Sequence, residues 1–234
     1  MREISLDTET TGLEAQNGDR VVEIGAVELI NGVATSNIFH VYIDPLRPMS
    51  AEASEITGIT DDMLRGKPKF NEIADGFVDF IANDYLVIHN AAFDIGFLNA
   101  EFERIGVPLL TMDRVIDTLG MARKRFPGAQ SNLDALCRRF GIDNSAREKH
   151  GALLDAELLA EVYLELNGGR QPGFELAAAK QSSQAGKGAN AAAVSERRPR
   201  RSTSRLSEAE RAAHLEFITD MGTGALWTGP KRDG

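Results

Sequence analysis

Hydrophobic periodicity changes character once along this chain, and that change limits the folds open to it. The N-terminal part reads as strands. Ile4 and Leu6 alternate with polar residues, Val21-Val22 through Ile30 is a second strand-like segment, and Ile38 through Ile43 is a third. Asn31-Gly32 is a hairpin turn signal between the last two. Three strands in sequence predict an antiparallel meander. Helical periods then take over. Ile73, Phe77, Phe80 and Ile81 share one helical face. Phe93 to Ile105 keeps the helical period and stops at Gly106 and Pro108. Leu133, Leu136, Cys137 and Phe140 form another helix ending at Gly141, and Leu153-Leu154, Leu158, Val162 and Leu166 form a last one before Gly168-Gly169. Tyr85-Leu86-Val87-Ile88 reads as a short buried strand. Strands first, then strands alternating with helices, predict an α/β chain in which helices pack on a mixed sheet.

Composition shifts after Gly169. Residues 177–205 are dominated by Ala, Ser, Gln, Gly and Arg, too poor in large apolar side chains to bury a core. They predict a flexible linker whose ends lie roughly 30 Å apart as a coil. Order is expected again in the tail, residues 206–234, where Leu206, Leu215, Phe217, Ile218, Leu226 and Trp227 occur and Ser207 and Glu210 have the spacing of a capping box. The expected division is therefore a domain at 1–169, a short segment at 170–176, a linker at 177–205 and a tail at 206–234.

Several function classes drop out early. No stretch approaches the ~20 apolar residues that cross a bilayer, so no membrane partner is expected. The start, MREISLDTETTG, has no apolar signal core. Cys137 is the only cysteine, which excludes an intrachain disulfide and a cysteine zinc site. A reducing, cytoplasmic setting is the simplest expectation. The net charge of −9 is unevenly spread: −13 over residues 1–169, +6 over 170–205 and −2 over 206–234. An acidic domain that acts on nucleic acid needs bound cations, a partner that delivers the strand, or both.

Three acidic motifs carry the chemistry. In Asp7-Thr8-Glu9-Thr10-Thr11-Gly12 the two carboxylates follow a strand and point to one face. Close carboxylates repel unless a cation or proton lies between them. His89-Asn90-Ala91-Ala92-Phe93-Asp94 sits where a buried strand meets a helix, the usual ligand position in open α/β sheets. In His150-Gly151-Ala152-Leu153-Leu154-Asp155, His150 falls on a loop and Asp155 on the helix that follows, so both can reach one point. Each motif alone has a plainer reading: an acidic strand end, a helix-capping Asp94, an exposed His150. Together, four acids and a histidine fit phosphodiester hydrolysis with two hard divalent cations. Histidine ordinarily titrates near neutrality, which suits a base that deprotonates water.

In this order and at these separations, DTETTG, HNAAFD and HGALLD resemble the three exonuclease motifs of the DnaQ-like DEDDh family, over roughly residues 1–168. The resemblance implies a ribonuclease-H-like fold, with a mixed five-stranded sheet flanked by helices. It implies two Mg²⁺ or Mn²⁺ ions. Asp7 would bridge both, Glu9 and Asp155 would bind the ion carrying the nucleophilic water, Asp94 would hold the second, and His150 would be the general base. The backbone of Thr10, Thr11 and Gly12, the side chains of Leu13 and Phe93, and the Ile56-Thr57 segment would hold the terminal nucleotide of a DNA 3′ end. Thr57 stands where several relatives have a histidine.

The C-terminal residues speak to partners. Gln171, Phe174 and Leu176 have the spacing of a sliding-clamp (beta) peptide, in which the Gln hydrogen-bonds and the apolar pair fills a pocket. A loop packing Phe174 on the core is the plainer alternative. The tail, with Leu215, Phe217, Ile218 and Trp227, resembles the segment by which bacterial proofreading (epsilon) subunits bind the polymerase catalytic (alpha) subunit. The same resemblance admits a small theta-type subunit. Proofreading 3′→5′ exonuclease activity is the leading expectation. The alternatives are an RNA-trimming exoribonuclease and a polymerase-stabilising subunit with a vestigial site.

Overall fold

In the computed structural model, which describes residues 1–145, 147, 149–169 and 207–220, β1 (Arg2–Thr10) is the middle strand of a five-stranded sheet. β2 (Val21–Ile30) pairs antiparallel with β1, and β3 (Val33–Tyr42) completes the meander. On the other side of β1, β4 (Tyr85–Ile88) and then β5 (Val115–Asp117) are added in parallel. The order β3-β2-β1-β4-β5 is the mixed sheet expected from the sequence.

Among the described residues this unit holds seven α-helices: α1 (Ala51–Thr57), α2 (Asp61–Leu64), α3 (Phe70–Ile81), α4 (Ala91–Ile105), α5 (Thr118–Arg125), α6 (Leu133–Phe140) and α7 (Ala152–Leu166). A separate unit contains α8 (Glu208–Asp220), which begins one residue after Ser207.

The sheet is covered on both faces because β1 alternates. Ile4 and Leu6 enter a core built with Phe70, Phe77, Leu98 and Phe102 of α3 and α4. Each such fully buried side chain contributes about 1.5–3 kcal/mol. The opposite face of β1 is polar and meets α7. The Ser5 hydroxyl donates to the Ala156 carbonyl at 2.7 Å, and the Tyr163 hydroxyl donates to Glu3 Oε1 at 2.7 Å. Around these bonds Val27 and Val87 pack with Leu136 of α6 and with Leu159 and Val162 of α7. Asp7 and Glu9 continue the polar face of β1 towards the N-terminal end of α7.

The strands and long helices match the sequence reading closely. β3 is longer than expected, starting at Val33 rather than Ile38. It is an edge strand, and its first half is largely exposed, so no apolar alternation marks it. The short elements α1, α2, α5 and β5 have no counterpart in the sequence reading; three to eight residues carry too few turns or alternations to register a period.

One glycine sets how near α7 comes to the sheet. Gly25 of β2 is the register partner of Asp7. A Cβ at Gly25 would lie 2.2 Å from the Ala152 carbonyl carbon and from the Leu153 nitrogen. Both obstacles are backbone, so no rotamer change relieves them. Gly25→Ala is therefore expected to lower stability by at least about 2 kcal/mol in urea unfolding. Gly96→Ala, at a helical position where an added Cβ meets nothing within 4 Å, should gain up to about 1 kcal/mol. Equal effects of the two substitutions would contradict this account of α7 docking.

Candidate active site

The acidic motifs converge at the C-terminal end of β1. Asp7 and Glu9 project from that strand, Asp94 from the first turn of α4, and Asp155 from the first turn of α7. All four line one cavity of about 500 Å³, together with Leu13, His89, Phe93, Asn132, Asp134, Arg147 and His150.

Local chemistry explains each placement. β4 turns into α4 through Asn90, which adopts a left-handed conformation with φ of 67°. Asparagine tolerates that region better than most residues. The Asn90 N–H donates to Asp117 Oδ1 at 3.2 Å, fixing the turn that carries Asp94. Asp94 Oδ1 accepts the Thr8 N–H at 3.1 Å and the Thr8 hydroxyl at 2.7 Å. Asp94 is thus tied to the strand between Asp7 and Glu9, which is more than a helix-capping role. At α7, buried Glu23 accepts the Ala152 N–H at 3.2 Å and bonds His40 at 2.7 Å. This carboxylate anchors the helix start. The loop before it is held to α1, since the His150 N–H donates to the Ile56 carbonyl at 3.2 Å. His150 lies on that loop with its ring half exposed, and its Nδ1 is 3.4 Å from Asp155 Oδ2. Donor atoms of Glu9, His150 and Asp155 all fall within 4.8 Å of one another. Asp7 and Asp94 lie outside that closest trio but line the same cavity.

The electrostatics are those of crowded, half-dehydrated carboxylates. Burial raises Asp7 well above the ordinary carboxylate range, and the charges of Asp94, Glu9 and Asp155 raise it further. Burial pushes Glu9 up to about 8, with Asp155, Glu23 and Asp94 adding to the effect. Burial likewise takes Asp94 to about 7, against the opposing hydrogen bonds from Thr8. Asp155 behaves differently. Burial works to raise it, but hydrogen bonds from His150 and Arg147 outweigh that and hold it below its ordinary value. Arg147 Nη2 donates to Asp155 Oδ2 at 2.7 Å, its Nε bonds Asp155 Oδ1, and Nη1 donates to Asp134 at 2.8 Å. Arg147 Nη2 also lies 2.8 Å from His150 Nδ1.

A second cavity of about 380 Å³ adjoins the first, sharing Glu9, Leu13 and Phe93. Thr10, Gly12, Ile56 and Thr57 also line it, so the residues expected to hold a terminal nucleotide lie together. Leu13 and Ile56 are exposed at its rim. Thr57 spends its hydroxyl locally, donating to the Ala53 carbonyl at 2.9 Å and accepting the Ile59 N–H at 3.0 Å. Thr11 lines neither cavity. It is fully buried, its hydroxyl donates to Asp19 at 2.9 Å, and its N–H donates to the Arg20 carbonyl at 2.9 Å. These bonds brace the loop that carries Gly12 and Leu13.

Sequence reasoning missed Arg147, Asp134 and Asn132. They sit on loops or at a helix start, where no periodicity marks them; the one available signal is an arginine three residues before His150. Of the tail residues, Leu215 and Phe217 are exposed on α8 and Ile218 is half-buried. Gln171, Phe174, Leu176 and Trp227, and the linker at 177–205, lie outside the described residues.

The donor set fits divalent cations. Hard oxygen ligands converge on one cavity, three of them are destabilised as anions, and Arg147 is the only lysine or arginine among the described residues lining the cavity.

Residues 4–163 match the exonuclease family model (RNase_T). The chain is 55% identical over 179 residues to the DNA polymerase III subunit epsilon of Rickettsia felis, covering 75% of this chain and 78% of that protein. It is 44% identical over 241 residues to the corresponding subunit of Salmonella typhimurium, covering 97% of each. Among solved structures, the nuclease domain of 3′hExo, a DEDDh family member bound to rAMP, matches with a TM-score of 0.62 at 19% identity, covering 71% of this chain and 92% of that domain. That last likeness is one of fold.

The raised carboxylates give the site a definite pH signature. Below the ordinary carboxylate range the folded and unfolded chains are both protonated, and no penalty exists. As pH rises towards the folded values of about 7 for Asp94 and about 8 for Glu9, the unfolded chain loses protons that the folded chain retains. Stability is lost across that window. With EDTA present, the melting temperature is expected to fall between roughly pH 5 and pH 8, and millimolar Mg²⁺ or Mn²⁺ should restore most of it. A profile that is flat with EDTA and unmoved by either ion would contradict this.

Proposed function

Because this chain belongs to the exonuclease family, within the group of DNA polymerase III epsilon subunits, we propose that its acidic cavity is the proofreading centre, in which two divalent ions are held against the 3′-terminal phosphodiester. The chain is a metal-dependent 3′→5′ exonuclease acting in DNA replication. The observation that carries the site assignment is the convergence of Asp7, Glu9, Asp94, Asp155 and His150 on one cavity, from three separate parts of the sequence.

Asp7, Glu9, Asp94 and Asp155 would hold the ions: Asp7 would serve both, Glu9 and Asp155 the one that activates the nucleophilic water, and Asp94 the other. Mg²⁺ or Mn²⁺ bound there would polarise the phosphate and stabilise charge on the leaving oxygen. The remaining chemistry belongs to the chain. His150, half exposed beside Asp155, takes a proton from the attacking water. The adjoining cavity holds the terminal nucleotide against Leu13, Ile56 and Phe93 without reading its base. Discrimination therefore rests on how readily an end frays: a mismatched terminus reaches a single-strand site more often than a paired one. The product is a nucleoside 5′-monophosphate.

The tail completes the proposal. Residues 170–176 supply the clamp peptide through Gln171, Phe174 and Leu176, and residues 206–234 bind the polymerase alpha subunit through Leu215, Phe217, Ile218 and Trp227. Exposed Leu215 and Phe217 on α8 support that use. A theta-type subunit is a third proposed partner. Tethering raises the local concentration of the exonuclease at the primer end and answers the problem of an acidic domain working on DNA. The kinship with replication subunits favours this reading over RNA trimming.

Purified protein should excise a 3′ mismatch from a DNA primer only when Mg²⁺ or Mn²⁺ is added, and should cut RNA more slowly. Asp7→Ala should abolish excision, and His150→Ala should slow it by roughly 10²–10⁴-fold. Undiminished excision by the Asp7 variant would refute the site. Capture of the alpha subunit by residues 170–234 tests the tail, and no capture at micromolar protein would count against it.

A further inference from the structure

Resting on the exonuclease reading above, we propose that the ends of α5 and α6 form a track for the sugar-phosphate backbone of the DNA strand, 5′ of the bond being cut. The cavity that holds the terminal nucleotide opens from one side of the acidic cavity. The rest of the strand must leave by another. His89, Asn90 and Asn132 line the acidic cavity and also a third one, which adds Leu119, Arg123, Ala129 and Ser131. Ala129 in turn links the third cavity to a fourth, bordered by Gln130, Arg138 and Arg139. Neighbouring cavities therefore lead from the carboxylates to Arg123 and, across Ala129, to Arg138 and Arg139.

Charge favours the same stretch of chain. Residues 118–150 carry seven Lys or Arg against three Asp or Glu, whereas residues 1–117 carry eight against twenty-one. In a domain of net −13, this is the stretch with a surplus of positive charge. Arginines in the last turn of a helix have an ordinary reading, as complements to the helix dipole. That reading accounts for their place along α5 and α6 but not for their lining a path out of the site. Their pairing also differs from that of a neighbour. Arg125 is spent within the fold, donating to the Glu165 carbonyl at 3.0 Å and the Leu166 carbonyl at 2.5 Å. Arg123 and Arg138 make no side-chain hydrogen bond or ion pair among the described residues, and Arg139 lies over the Phe126 ring at 4.4 Å. Free guanidinium groups beside the amides of Asn90, Gln130 and Asn132 match the chemistry of phosphate and sugar recognition. The track needs no base contact, as suits an enzyme that removes any nucleotide.

The test compares two substrates on the full chain: a thymidine dinucleotide, which fills only the two central cavities, and an oligothymidylate strand of about twelve nucleotides, long enough to reach the arginines. Arg123→Gln/Arg138→Gln is the variant, with Arg139 left intact because it packs on Phe126. For the long strand KM should rise roughly tenfold, and the slope of log affinity against log salt should become shallower by about 1.4, because two phosphates are no longer neutralised. Dinucleotide cleavage should be unchanged, which also shows that the variant is folded. An unchanged KM and salt slope on the long strand would overturn the track. So would an equal loss on both substrates, which would make these arginines supports of the site. Wild-type protein that cleaves neither substrate would instead overturn the exonuclease reading, and the track with it.

Discussion

The close approach of α7 to the sheet is the contact on which the rest of this structure depends. The first turn of α7 lies against the bare backbone of Gly25, directly across from Asp7, and Glu23 on the same strand holds the Ala152 N–H. Farther along, Ser5 and Glu3 fasten the helix to β1. These contacts bring Asp155 and His150 over the end of the strand that bears Asp7 and Glu9. A helix standing off by the width of one methyl group would carry Asp155 and His150 away from Asp7 and Glu9.

Assembly of the site has an electrostatic cost that the fold alone does not offset. Four carboxylates gathered in a partly dehydrated cavity disfavour one another's ionisation, and only Asp155 is held below its ordinary value, by Arg147 and His150. The remaining demand for positive charge is what makes the cavity select hard cations. The strong acidity of the domain follows the same logic only in part. Five of the domain's acidic side chains, Asp7, Glu9, Asp94, Asp134 and Asp155, line the cavity, and the rest spread negative charge elsewhere, so delivery of the DNA would fall to the α5–α6 surface and the tethered partners proposed above.

Much of the fold is legible in the sequence because its main elements are regular. Long helices such as α4 and α7 show several turns of apolar periodicity, and β1 and β2 alternate cleanly against a core. The edge strands are harder to read. β3 is exposed along its first half, and β5 has three residues, so solvent rather than packing sets their composition. The chemical residues are legible for another reason: Asp7, Glu9, Asp94, His150 and Asp155 occur in compact motifs at the ends of periodic segments. Arg147, Asn132 and Asp134 belong to no such motif. Thr11, whose backbone the motif assigns to the nucleotide, lines neither cavity, and its side chain and N–H bind Asp19 and Arg20.

By itself, the sequence determined the class of fold, the family and the identity of the acidic residues, because periodicity and short motifs are local properties that survive in one dimension. Tertiary structure alone decided what those residues meet. The anchoring of Asp94 to Thr8, the clasp of Arg147 on Asp155 and the single cavity shared by motifs more than a hundred residues apart depend on distances of a few ångströms between distant segments. The same holds for the neighbouring cavities that carry Arg123, Arg138 and Arg139 of α5 and α6. Such distances are set by how closely helices pack on a sheet, and no local pattern in the chain encodes them.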